Sequence, residues 1–447
     1  MEALATLAGY GPREWLLDLR RRFDRIPTNL LLLVPGLALA FMALITNPWA
    51  MRGFAGDLEL YHRYGLQLAN GQALYSTVRV EYPPLSIIPM LLPLVGLGTG
   101  DPDATAYLWR FLLVAGVIAV AGGWAVFRAS RRDRHALGAW VGIVALSWVS
   151  AALRYDLWPV ALTLAALIVV RRHPGLAGVL LGIGTMLKLY PVVLVGIFAA
   201  RALAGREWGG LVRLVAGWLV VSAAIVGWAW SLAGPDSLHW LAYQGDRGLQ
   251  IESIGASFVL AAHLFGAPAA PVFSFGSTQI EGLGSDFFVA VSTPALAVLV
   301  SLAGLLALRA FVRERRATGT ISMETLALAG AGGICAVLLG DKVLSLQYIL
   351  WLAPFVPFLP VRLRWLALVI AGLSTWIFEV DYDGLWKFHW WMVVAMVVRN
   401  VMLARFSWLV ARRLWRLEGR TEPDETGPPR RHRSLRPALP VAAPLVG

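Results

Sequence analysis

The sequence has 447 residues, of which 58% are hydrophobic and 15% charged, against roughly a quarter charged in soluble domains. That balance excludes an ordinary soluble enzyme, and apolar runs able to cross a ~30 Å hydrocarbon core recur along almost the whole chain. The net charge of +12 would suggest a nucleic-acid ligand in a soluble protein, so it is read only after the charges are placed.

The expected fold class is all-α: a polytopic integral membrane protein of about 11–12 transmembrane or half-membrane helices. Residues 1–28 read as a cytoplasmic segment. The first apolar run, 29–46, follows Arg20, Arg21, Arg22 and Arg25 and has no small-residue cleavage site behind it, as in an uncleaved signal anchor. A first outer loop, 47–103, opens on an amphipathic helix whose apolar face is Leu58, Tyr61, Leu66 and Leu68, with Asp57 at its start and Gly71 as its stop. The run 84–98 carries Pro84, Pro89 and Pro93 and is too short to cross.

Further apolar runs lie at 104–127, 136–153, 157–170, 175–200 and 211–233. A second outer segment, 234–285, precedes runs at 286–309, 322–339, 345–359, 365–379 and 386–405. The run 175–200 is interrupted at Lys188-Leu189-Tyr190-Pro191 and reads as two half-helices, which are tolerated at membrane depth only beside a cavity. Arginine clusters at 128–134, 171–172, 201–213, 309–316, 362–364 and 405–436 mark the cytoplasmic side. The basic, Pro-rich residues 406–447 read as a disordered cytoplasmic tail. With this threading the inner side is net positive and the outer side net negative, so the basic excess describes orientation and not a nucleic-acid partner. Both long polar segments then face out, which puts any chemistry there. Trp109, Trp240, Trp386, Trp390 and Trp391 read as interface anchors.

Asp57 has two readings, an N-cap or a general base in a partly water-excluded site. Glu59 lies two residues on and points away from it on a helix. His62 and Arg63 continue that helix, and Glu81-Tyr82-Pro83-Pro84 approaches the membrane in extended form. Arg154 and Asp156 read either as a local ion pair or as part of the cavity that Asp57 faces. Lys188, alone in a broken apolar run, needs a partner, a headgroup or an anion such as a phosphate. Arg247, Gln250 and Glu252 form a polar knot in the second outer segment, and Lys342, Gln347 and Tyr348 repeat the pattern further on. Arg247 and Lys342 suit a phosphate or diphosphate, or an ion pair with the neighbouring Asp246 and Asp341. The seven His and the single Cys335 have no metal-ligand spacing, and no phosphate-binding glycine motif is present. No metal, cofactor, nucleotide or nucleic acid is therefore expected.

Several of these motifs resemble the polyprenol-phosphate-mannose-dependent mannosyltransferases of glycosyltransferase family 87. They are Gly56-Asp57-Leu58-Glu59-Leu60-Tyr61, Asn70-Gly71-Gln72-Ala73-Leu74-Tyr75, Glu81-Tyr82-Pro83-Pro84-Leu85, Arg154-Tyr155-Asp156-Leu157-Trp158-Pro159 and Leu187-Lys188-Leu189-Tyr190-Pro191. The segments 247–253 and 342–348 are similar to an actinobacterial branch. The resemblance covers roughly residues 29–405 and implies a GT-C fold, with Asp57 as the base, Lys188 near the carrier phosphate and inversion of a β-linked sugar to an α product. This sequence departs from related Lys-Gly-Pro enzymes in having Lys-Leu-Tyr-Pro. The implied function is transfer of a hexose, mannose first, from polyprenyl phosphate to an extracytoplasmic glycolipid or glycan, by a multi-pass plasma-membrane enzyme. Transfer of arabinofuranose is the alternative within the class; a transporter or flippase is the alternative outside it, disfavoured by unequal loops and the lack of internal repeats.

Overall fold

The computed structural model describes residues 24–49, 56–97 and 104–417. The arginines at 20–22, the stretch 98–103 and the tail beyond 417 lie outside the described residues. Helices in chain order are α1 (Thr28–Trp49), α2 (Gly56–Ala69), α3 (Ile87–Leu91), α4 (Ala104–Ala129), α5 (Arg134–Leu146), α6 (Trp148–Leu153), α7 (Leu157–Val169) and α8 (Pro174–Leu187). They continue with α9 (Val192–Ala204), α10 (Trp208–Ala233), α11 (His239–Asp246), α12 (Ile254–Leu264), α13 (Ser285–Thr318), α14 (Met323–Gly340), α15 (Val361–Trp386) and α16 (Trp390–Trp415). Six stretches are long and apolar enough to cross a membrane: α4, the stretch Trp208–Asp246 that α10 begins, α13, α14, α15 and α16. The chain is an all-α, multi-pass membrane protein.

Helix α14 is apolar all round and packs in the middle, against α9, α13 and α16. Its start is capped by the Ser322 hydroxyl, which accepts from the Thr325 amide. Helices α10 and α13 instead expose apolar side chains such as Val220, Leu302 and Leu305, as lipid-facing helices do.

Helices α7, α8 and α9, of 13, 14 and 13 residues, are each ~20 Å long, short of a full crossing. The expected break between α8 and α9 is present: Lys188 is extended at φ −155°, ψ 135°. Pro191 supplies the reason, since it has no amide proton to donate to the Leu187 carbonyl four residues back and its ring would clash with that carbonyl in a continuous helix. Helix α8 lies directly on α10, with backbones in contact. A Cβ on Gly178 would come within 2.0 Å of the Leu214 carbonyl oxygen, and one on Gly217 within 2.5 Å of the Gly175 oxygen. Small residues permit such an approach between membrane helices.

The proline-rich run after the first outer helix breaks into a 3-10 turn at Pro84–Ser86, the five-residue α3 and a second 3-10 turn at Leu92–Leu94. It is too short to cross, as its prolines predict. Helix α2 packs on this run at Gly65, where a Cβ would come within 2.8 Å of the Met90 carbonyl oxygen, and Gly71 beyond its end has φ +82°.

Four sequence expectations need correction. The run 345–359 is not an α-helix but two 3-10 turns, Leu346–Leu352 and Val356–Phe358. Pro354, Pro357 and Pro360 withhold amide donors there, and the irregular backbone is tolerated because Leu350, Leu352, Ala353, Phe355 and Val356 are buried in protein. Helix α16 runs ten residues past 405, to Trp415, so the first part of the expected tail is helical. Arg309 anchors that end by donating to the Trp415 carbonyl and stacking on its ring. The second outer segment contains an antiparallel hairpin of β1 (Ala269–Ser274) and β2 (Ser277–Gly282), turning on Phe275 and Gly276, both with positive φ. Trp240 is buried and anchors nothing at an interface.

Replacing Gly178 by Val should force α8 and α10 apart and destabilise the protein by about 1–3 kcal/mol. Thermal melting of the purified protein in detergent checks this, with a lowered midpoint expected.

Candidate functional site

Asp57 lies in the first turn of α2, beside the short extended link at Arg154 that joins α6 to α7. The Arg154 Nε stands 2.7 Å from Asp57 Oδ2 and donates to Gln347 Oε1 at 3.0 Å. The Asp57 side chain keeps 25% of its exposure and Arg154 15%, so the pair is half-withdrawn from water but reachable. Arg154 and Asp156 do not pair with each other: each charge takes a partner distant in sequence. Lys188 Nζ donates to both Asp156 oxygens, at 2.8 and 2.7 Å, and Trp351 Nε1 donates to Asp156 Oδ1 at 2.7 Å.

Aromatic rings close around this second pair. Lys188 Nζ lies 5.1 Å from the Tyr155 ring, 5.4 Å from Tyr348 and 5.7 Å from Trp351, distances at which a cation gains from the ring faces. Residues i and i+3 eclipse in a 3-10 turn, so Tyr348 and Trp351 stack with centroids 3.9 Å apart, and Tyr190 stacks on the other face of Trp351 at 4.3 Å. Lys188 is therefore neutralised and enclosed. Its charge is already matched by Asp156.

Arg154 stands between two cavities and is the one residue they share. One, of about 30 Å³, enough for one or two waters, is lined by Arg154, Gln347, Ser147, Ser150, Ser345, Ser374 and Thr375 among others. The other is a small crevice of about 10 Å³ whose residues other than Arg154 are apolar, Pro89, Leu92, Pro93, Phe111, Leu157 and Trp158 among them.

On the α2 side, Tyr61, Tyr82 and Tyr155 form a ring cluster with centroid separations of 5.3 to 6.1 Å. Tyr64 donates to Glu81 Oε2 at 2.6 Å. Burial pushes the Glu81 carboxyl above its ordinary value; the Tyr64 hydrogen bond and Arg247 hold it back, and Asp57 adds to the rise. Asp57, Glu81 and Arg247 thus share one electrostatic neighbourhood. Arg247 is buried, donates to Ser277 Oγ at 2.6 Å and to Gln244 Oε1 at 3.4 Å, and has an Nε without a partner among the described residues. Neither Arg247 nor Lys342 makes an ion pair with its neighbouring aspartate: Lys342 Nζ donates to the Gly245 carbonyl at 2.6 Å, and Asp341 accepts from the Val343 amide at 3.1 Å.

Gln250 and Glu252 sit deeper. Gln250 Nε2 donates to one Glu252 oxygen and the Tyr382 hydroxyl to the other, at 2.7 Å. Burial raises the Glu252 carboxyl, against the Tyr382 hydrogen bond and the Arg399 charge. Arg399, fully buried in α16, donates to the Glu252 carbonyl at 3.0 Å, and Asn400 donates to the carbonyls of Glu252 and Ser253 and to Ser257 Oγ. These two residues, missed in the sequence reading, tie the polar knot to the last helix. Their signal is a charged-amide pair interrupting the apolar run Val393–Met402.

Of the residues singled out from sequence, Asp57, Tyr82, Arg154, Gln347 and Glu81 come together, with Arg247 nearby and Asp156, Lys188 and Tyr348 beneath. Glu59 and Arg63 lie on the exposed face of α2, away from Asp57, and His62 packs on the Tyr107 ring with centroids 4.6 Å apart. Tyr155, Tyr190 and Trp351 were also missed; their functional character appears only when the 3-10 turn brings the rings around Lys188. Among the described residues no group of three or more His, Cys, Asp or Glu is placed to hold a metal ion.

Of the families of known proteins, Glycosyltransferase family 87 has a model that matches residues 80–338, more than half of the chain. The matched segment takes in Glu81, Tyr82, Arg154, Asp156, Lys188, Arg247, Gln250 and Glu252, while Asp57 precedes it and Lys342, Gln347 and Tyr348 follow it. No curated protein matches the chain.

Because folding raises the Glu81 carboxyl, its protonated form is favoured in the folded state. Its contribution to stability is complete below the ordinary value of 4.5 and is lost as pH rises through the folded value. Glu81→Gln removes this dependence. The wild-type melting temperature, measured relative to that of the variant, should therefore fall as pH is raised from about 4 to about 7; a constant difference would contradict the burial of Glu81.

Proposed function

The chain belongs to glycosyltransferase family 87, and from that membership we propose that it transfers mannose from a polyprenyl-phosphate donor to a hydroxyl of a glycolipid or glycan acceptor. The reaction takes place at the outer face of the cell membrane, with both chain termini in the cytoplasm. The observation that carries this reading is the Asp57–Arg154 pair: a reachable carboxylate held 2.7 Å from a guanidinium that also faces two cavities.

In the proposed reaction the acceptor hydroxyl oxygen attacks the anomeric carbon of the sugar, and Asp57 takes the hydroxyl proton. The bond from that carbon to the phosphate oxygen breaks, and its electron pair leaves with polyprenyl phosphate. Attack opposite the leaving group converts a β-linked donor into an α-linked product. The phosphate gains negative charge as it departs, and Arg154 supports it with a forked donor set, with Arg247 as a second cation. When the phosphate engages Arg154, the Asp57 carboxylate is released to act as base. Of the tyrosines beside the pair, Tyr61 and Tyr155 are fully buried and back the site, and the partly exposed Tyr82 offers its ring to the sugar. Lys188 contributes through Asp156, Trp351 and Tyr348, by keeping the floor of the site in place.

The test uses purified protein with radiolabelled polyprenyl-phosphate-mannose and membrane glycolipids. Asp57→Asn, which keeps the shape of the side chain and removes its basicity, should reduce transfer by about 10²–10⁴-fold while the protein still folds and melts cooperatively, at a somewhat lower midpoint for loss of the Arg154 ion pair. Undiminished transfer would overturn the assignment of the base. Transfer from the arabinofuranosyl donor alone would change the sugar and leave the base in place.

A further inference from the structure

At the opposite ends of α7 and α8 from the Asp156–Lys188 pair, two connecting segments converge. Arg171 and Arg172 come from the turn between α7 and α8; Arg206 comes from the turn between α9 and α10, and Arg213 from the first turns of α10. Together with Glu207 and Trp208 they line an open cleft of about 490 Å³. Its distance from Asp156 is set by α7, whose 13 residues span ~20 Å, so it is separate from the candidate transfer site and does not rest on the function proposed for it.

Glu207 is the one acid in the lining, and it is occupied. Arg201 donates to both its oxygens, at 2.9 and 3.1 Å, and Arg315 approaches to 3.5 Å. Among the described residues Arg171, Arg172, Arg206 and Arg213 make no ion pair and no side-chain hydrogen bond, and all four are exposed. Four guanidinium groups in one cleft repel each other unless an anion sits among them, and their forked donors suit phosphate oxygens. The rim is apolar. Trp208 is 63% exposed, Val212 65% and Leu176 48%, and this surface continues along the lipid-facing side of α10 through Leu219 and Val220. A soluble phosphate would use only the charged half of such a site; a phospholipid uses both.

We propose that this cleft binds the headgroup of an anionic phospholipid, with its acyl chains lying along Leu176, Val212 and Leu219. The arginines take the phosphate and Trp208 lies at the level of the glycerol backbone, as tryptophan does at membrane interfaces. The lipid then clamps the starts of α8 and α10, the two helices whose backbones touch at Gly178 and Gly217.

The test is native mass spectrometry of the full chain released from zwitterionic detergent, with phosphatidylglycerol, phosphatidylcholine or inorganic phosphate added. Retention of phosphatidylglycerol roughly tenfold above phosphatidylcholine is expected, lost in the fourfold variant R171Q/R172Q/R206Q/R213Q and kept in R412Q/R413Q at the end of α16. If the fourfold variant does not fold, R172Q and R213Q singly should each lower retention by a few-fold. Equal retention of the two lipids, or loss of phosphatidylglycerol in R412Q/R413Q to the same extent as in the cleft variants, would overturn the proposal. Displacement of phosphatidylglycerol by millimolar inorganic phosphate would overturn it in favour of a soluble anion.

Discussion

A charge buried among packed apolar helices has to be matched, and the position of Lys188 makes that requirement the organising constraint of the molecule. Asp156 meets it with two oxygens, and Trp351 completes the carboxylate's hydrogen bonds. Removing one partner from a buried pair of this kind costs about 3–5 kcal/mol, because the other charge is left uncompensated. The pair therefore fixes three elements relative to one another: the start of α7, the end of α8 and the 3-10 turn that holds Trp351. With Asp156 occupied by Lys188, Arg154 is left to Asp57, and α2 is held against the bundle by the same chain of charges.

This arrangement separates two roles that the sequence leaves joined. The motif Arg154-Tyr155-Asp156 contains one residue that faces the cavities and one that neutralises a lysine, with Tyr155 between them touching both Tyr61 and Lys188. Lys188, the charge that stands out most on reading the chain, is enclosed in rings. Arg154 instead borders both cavities, and Arg247 keeps an Nε without a partner among the described residues. The second polar segment is held from the opposite side, by Arg399 and Asn400 gripping the carbonyls of Glu252 and Ser253, and this sets where Arg247 stands.

Local chemistry made much of this legible. The apolar spacing of Leu58 and Tyr61 marks the buried face of α2, Pro191 the break after Lys188, and the prolines of 84–94 a segment that cannot cross. The run 157–170 matches α7 nearly residue for residue. What stayed hidden depends on partners remote in sequence. Nothing near Asp57 says that Arg154 will reach it, nor does anything near Asp156 point to Trp351. The run 345–359 looks like a span by composition, and only its prolines and complete burial explain the 3-10 turns found there. The hairpin at 269–282 falls in a stretch read simply as a polar loop, although Phe275-Gly276 supplies the two left-handed residues of its turn.

The most direct measurement is a double-mutant cycle on transfer by the full-length enzyme, with Asp57→Asn, Arg154→Gln and the two combined. If the carboxylate and the guanidinium act as one unit in the transfer step, Asp57 on the acceptor hydroxyl and Arg154 on the departing phosphate, the combined loss in kcat/KM will be close to that of Asp57→Asn alone. Losses that simply multiply would contradict the coupling, and would return Arg154 to a role independent of the base.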